Sequence, residues 1–85
     1  MRAIFRMLKK REYKGKDGSQ KVAHNLEITV PERGTGDLYV TEDAYLGIKS
    51  LGLSDGDEVE LTFDLDAFRG QISPRLAGVS PVAAG

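Results

Sequence analysis

The stretch "KVAHNLEITV", residues 21–30, alternates without a break: Val22, His24, Leu26, Ile28 and Val30 fall on one parity, Lys21, Ala23, Asn25, Glu27 and Thr29 on the other. Successive side chains of a strand point to opposite faces, so this pattern predicts a half-buried β-strand. Just upstream, "KGKDGS" (14–19) supplies Asp17 and Gly18, residue types that tolerate positive φ, and predicts a hairpin turn. The segment before it, "RAIFRMLKKREY" (2–13), is then the partner strand, with Ala3, Phe5 and Met7 on one parity and Arg2, Arg6 and Lys10 on the other. Its second half is almost wholly polar. The hairpin is therefore expected to run past the core into solvent.

Downstream, Pro31 and the glycines of "PERGTG" (31–36) end the strand, and "DLYV" (37–40) forms a short third one, with Leu38 and Val40 inward and Tyr39 outward. The period then changes. "TEDAYLGIKSLGL" (41–53) opens on Thr41 as N-cap, carries two acids in its first turn, spaces Ala44, Ile48 and Leu51 for one helical face and stops at Gly52. In "SDGDEVELTFDLD" (54–66) alternation returns, with Val59, Leu61, Phe63 and Leu65 on one side. Glu58, Glu60, Thr62, Asp64 and Asp66 form an acid stripe on the other. "AFRG" (67–70) is the next turn. "QISPRLAGVSPV" (71–82) is a last strand that Pro74 places at an edge or on a bulge, and the tail 83–85 is expected to fray. With no repeat or linker, residues 1–82 read as one mainly β domain. The element order predicts a small five-stranded OB-like barrel with one short helix between strands 3 and 4.

Charge is distributed unevenly over the 85 residues. Met1 to Arg33 holds nine Lys/Arg against four Asp/Glu, a net of +5, while Gly34 to Gly85 holds three against nine, a net of −6. Such asymmetry points to a polyanionic partner. There is no cysteine, which excludes a disulfide framework, a thiolate metal site and a cysteine nucleophile. No apolar run approaches the roughly 18 residues of a membrane span, and the apolar stretch in "MRAIFRMLKK" is too short for a signal peptide. A soluble, cytoplasmic protein is the expectation. The single histidine shares parity with apolar neighbours, as a partly buried, hydrogen-bonded residue would. The acids alternate along a strand instead of converging, "DGDEVE" lacks the ligand spacing of a calcium loop, and "RGTGDLY" precedes a strand where a phosphate loop requires a helix. Neither catalysis, a metal nor another cofactor is expected.

An OB barrel binds oligonucleotides on the face of its second and third strands, flanked by the loops between strands 1 and 2 and between strands 4 and 5. Both loops here set aromatics beside cations. Single-stranded nucleic acid calls for this combination: cations replace condensed counterions along the phosphates, and flat rings stack on unpaired bases with little regard for sequence. The candidate contacts are Arg6, Lys9, Lys10, Arg11, Lys14, Lys16 and Lys21, with Tyr13, Tyr39, Phe68 and Arg69. The acid stripe of the fourth strand would confine a bound strand to the opposite, basic side.

In its hairpin "YKGKDGSQK" and its ending "GQISPRLAGVSPV" the chain resembles the small single-stranded-DNA-binding proteins of phages, plasmids and other mobile elements, the filamentous-phage group among them. The resemblance implies a homodimer or higher homo-oligomer that coats single strands during replication or transfer. The expected function is single-stranded-DNA binding accessory to replication, recombination or conjugative transfer, and the same residues do not distinguish DNA from RNA. It also implies contacts among the aromatic and basic residues between Arg6 and Lys21. The helix after Val40 departs from the filamentous-phage members, which have a hairpin there.

Other readings use the same residues. "LGLSDGDEVEL" resembles the latter half of AbrB-like swapped-hairpin regulators and antitoxins, which bind duplex DNA, but with more residues between Val40 and Leu51 than that family has. A third reading is a protein-interaction barrel without nucleic acid, whose basic loop meets an acidic partner. The lysine-rich tip also suits a plain solvated turn, and Tyr13 and Tyr39 suit core or dimer-seam positions.

Overall fold

A computed structural model describes residues 1–82; the tail expected to fray, 83–85, lies outside the described residues. The chain forms β1 (Arg2–Lys14), β2 (Gln20–Val30), β3 (Gly34–Val40), α1 (Glu42–Ser50), β4 (Glu58–Phe68) and β5 (Gln71–Pro81). All five strands join one sheet in the order β3-β2-β1-β4-β5. Every neighbouring pair is antiparallel, so the two edges, β3 and β5, run parallel to one another.

The sheet is mainly β as the alternation predicts, but it is not closed into a barrel: among the described residues no ladder joins β3 to β5. Local features explain why these edges stay apart. The seven residues of β3 lead at once, through Thr41, into α1, while Pro74 has no N–H to offer. A bulge at Ala77, where Thr62 pairs with Gly78 but Phe63 with Leu76, bends β5 further. The helix instead covers the core face, touching both β2 and β5. Thr41 is its N-cap as the sequence indicated, its Oγ1 accepting from the Ala44 amide at 3.2 Å. Gly52, at φ 66°, takes the chain out of it.

The core gathers Ala3, Phe5, Leu26, Ile28, Val40, Ile48, Val59, Leu61 and Leu76. His24 joins them as a buried residue, its ring 4.7 Å from that of Tyr45. Met7 departs from the expectation. Phe5 pairs with Ile28 but Met7 with Glu27, so Arg6 is an extra residue that reverses the parity of β1. Leu8 therefore faces the core opposite Leu26, and Met7 is exposed. The chain also turns more tightly after β4 than "AFRG" suggests. Phe68 still pairs with Gln71, leaving Arg69 and Gly70 as a two-residue turn with φ of 51° and 78°.

Two long hairpins, β1–β2 and β4–β5, meet along a short ladder: Arg2 with Glu60, Ala3 with Val59 and Ile4 with Glu58. Because β1 and β4 are antiparallel, the hairpins leave this ladder in opposite directions. The result is an elongated molecule, 49 × 30 × 23 Å. No helix of the described residues is long and apolar enough to cross a membrane.

Candidate nucleic-acid interface

Residues directly opposite one another in a ladder share a face, so register assigns the candidates. The Leu8–Leu26–Leu38 row faces the core. One step along, Lys9 lies opposite Asn25 and Asn25 opposite Tyr39, all on the outward face. Arg11 opposite Ala23 and Tyr13 opposite Lys21 continue this face towards the hairpin tip. Five sequence candidates, Lys9, Arg11, Tyr13, Lys21 and Tyr39, are thereby brought together on one side of β1, β2 and β3. Tyr39 is 66% exposed, as a ring offered to a ligand must be, and Tyr13 is also exposed. From strand geometry their Cα atoms are about 17 Å apart, too far for one base to touch both.

The remaining cations are placed differently. Lys10, opposite His24, and Lys14, opposite Gln20, belong to the other face of the hairpin, and Lys16 lies in the turn. That turn is tied by Asp17, whose carboxylate accepts from the Ser19 hydroxyl at 2.6 Å and from the Ser19 amide at 3.0 Å. The same bonds hold its pKa below the ordinary carboxylate value. Arg6 sits at the bulge and is engaged there, Nε donating to Thr29 Oγ1 at 2.9 Å and Nη1 to Asp55 at 3.0 Å. Lys9 pairs with Glu27 at 2.7 Å and with Asp37 at 3.0 Å. The Glu27 carboxylate first, then Asp37, raises the pKa of its ammonium. By contrast, among the described residues no ion pair engages Lys10, Arg11, Lys14, Lys16 or Lys21.

Phe68 and Arg69 do not join this cluster. They form the tip of β4–β5, at the other end of the sheet, where the Arg69 guanidinium stands 5.2 Å from the centre of the 72% exposed Phe68 ring. The loops between strands 1 and 2 and between strands 4 and 5 therefore lie at opposite ends of the sheet. The acid stripe is also placed otherwise than expected. Ile4 pairs with both Thr29 and Glu58, so the acids of β4 share the outward face with Lys9 and Arg11 instead of lying opposite. Distance along the sheet and partial neutralisation separate them. The N-terminal amine reaches Glu60 at 2.9 Å, Arg2 reaches Glu58 at 3.5 Å, and Arg75 reaches Asp66 at 3.4 Å.

No family model, curated protein or solved structure matches the chain.

Its chemistry is read from the side chains themselves. Among the described residues no group of three or more His, Asp or Glu is arranged to hold a metal ion. The outward face instead offers free cations, two exposed phenol rings and the Asn25 amide, a donor and acceptor between Lys9 and Tyr39. Asn25, Glu27 and Asp37 belong to this surface although they were not among the sequence candidates. For the first two the signal was present: both share the parity of Lys21.

Proposed function

We propose that this chain binds single-stranded DNA with little sequence preference along the outward face of β1, β2 and β3, in the service of replication, recombination or conjugative transfer. The observation that carries the reading is the register, which collects Arg11, Lys21, Tyr13 and Tyr39 from three strands onto one exposed face. Arg11 and Lys21 neutralise phosphates, Lys14 and Lys16 at the tip extend the track, and the two tyrosines stack on bases. The resemblance to small OB-fold single-strand binders supports it. So does the strand order, which is that of a five-stranded barrel opened between its parallel edges. Leu65 and Ile72, exposed on the far hairpin, support the homo-oligomer that the resemblance implies.

Titration of tyrosine fluorescence with poly(dT), duplex DNA and RNA tests the reading, since the chain has no tryptophan. Two to four neutralised phosphates give a slope of log affinity against log salt of about −1.4 to −2.8 on single strands. Tighter binding to a defined duplex than to poly(dT) at equal salt would instead select the AbrB-like regulator, and binding to neither would select the protein-interaction reading. The rings are tested separately. Tyr39→Ala is expected to weaken binding of a six-nucleotide oligo(dT) by about 1 to 3 kcal/mol. Phe68→Ala, at the opposite end of the sheet, leaves it unchanged. An equal loss in both variants would contradict the separation of the two tips.

A further inference from the structure

On the side of the Lys9 row away from the hairpin tip, the outward face of β1–β2–β3 carries two carboxylates before it continues through Ile4, Thr29 and Thr35. Glu27 and Asp37 are directly opposite across the β2–β3 ladder, and the Lys9 ammonium lies 2.7 Å from the first and 3.0 Å from the second. Two negative charges meet one positive, so the group is net negative beside Arg11 and Lys21, which no ion pair engages among the described residues. The side chains of Lys9, Glu27 and Asp37 are 38%, 28% and 43% exposed, so neither bond is strong alone. A phosphate approaching Lys9 nevertheless has to displace two carboxylates together and then remain beside both. Two residues further along β1, on the same face, the situation changes. Arg11 faces the methyl of Ala23 and has no acid in its row.

Resting on the single-strand reading, we propose that Glu27 and Asp37 withhold Lys9 from phosphate and so end the nucleic-acid track. The bound strand runs over the rows of Lys21, Ala23 and Tyr39 and stops before the row of Met7, Glu27 and Asp37. The acid pair fixes where a strand lies and how many nucleotides one protomer covers. Its neutral replacement lengthens the footprint. This role differs from a purely structural one, in which Lys9 only relieves repulsion between two opposed carboxylates and their removal leaves nucleic-acid binding as it was.

The salt dependence of poly(dT) binding tests this, because the slope counts phosphate contacts. Lys9→Met is expected to keep the slope of the unaltered chain. Glu27→Gln with Asp37→Asn is expected to steepen it by about 0.7, one further phosphate, and to enlarge the occluded site. Adding Lys9→Met to that pair should abolish both gains. Asp64→Asn with Asp66→Asn, which removes two acids from the far hairpin, should leave the slope unchanged. A slope made shallower by about 0.7 in Lys9→Met alone would show Lys9 already on phosphate and overturn the proposal. So would an unchanged slope and site size in the Glu27→Gln, Asp37→Asn chain. If the unaltered chain ignores poly(dT) at low salt, the single-strand reading falls, and this inference with it.

Discussion

Reversing Arg11 and Lys21 together to glutamate is expected to lower affinity for poly(dT) by about 100-fold while leaving the melting temperature within a few degrees. Both side chains are exposed on the outward face, and neither is engaged in an ion pair among the described residues. Hydrogen bonds to charged groups contribute about 1.5 to 3 kcal/mol each. Two lost contacts therefore account for at least about 3 kcal/mol, or two orders of magnitude. The salt slope should become shallower by about 1.4, the value for two phosphates released from contact. Filter binding or fluorescence titration at four or five salt concentrations measures both quantities. Full affinity in the folded variant would remove the outward face from the site.

Leu26→Ala should act on stability instead. Leu26 is 0% exposed and lies between Leu8 and Leu38 across two ladders, directly behind the row that carries Asn25 and Tyr39. Truncation of a buried leucine costs about 2 to 5 kcal/mol, through lost burial and the cavity left behind. A domain of this size has only about 4 to 13 kcal/mol in total. The melting temperature should thus fall by about 10 °C or more, as circular dichroism would show. Poly(dT) affinity of the remaining folded fraction should be retained. A melting temperature within 2 or 3 °C of the unaltered chain would mean that this row is not packed as described.

Much of this architecture was legible as periodicity. The alternation in residues 21–30 and 58–65 gave the faces of β2 and β4, and the Thr41 to Gly52 punctuation gave the helix. The bulge at Arg6 was not legible, because Ala3, Phe5 and Met7 continue the parity that the bulge breaks. Only the adjacent pair Met7 and Leu8, both apolar, marks the ambiguity. Alternation likewise does not tell where cover runs out: Leu65 keeps the core parity of β4 yet is exposed, since the hairpin has left the rest of the sheet. The candidate site divided in the same way. Local pattern named its residues, but the separation of Phe68 and Arg69 from Tyr13 and Tyr39 depends on the direction of β4 relative to β1. That pairing is made by residues far apart in the chain and leaves no local trace.

The short seam between the hairpins also sets the timing of assembly. Each hairpin is local and closes in about 1 to 10 μs, whereas Arg2 and Glu58, which meet at the seam, are 56 positions apart. Closing so long a loop carries an entropy cost that no local contact offsets in advance. At about 5 to 20 residues per second, a ribosome takes roughly 1 to 4 s to proceed from the end of β3 to the middle of the seam strand. During that interval β1 is finished on one side and unpaired on the other, a template on which a neighbouring nascent chain can add. Lys9, Lys10 and Arg11 lie further along the same side of β1, beyond the Arg2–Ile4 segment that the seam closes, and charge of one sign is a means by which edges repel their copies. The seam therefore closes only the base of β1, and among the described residues the charged side of 9–11 stays an unpaired edge before and after it forms.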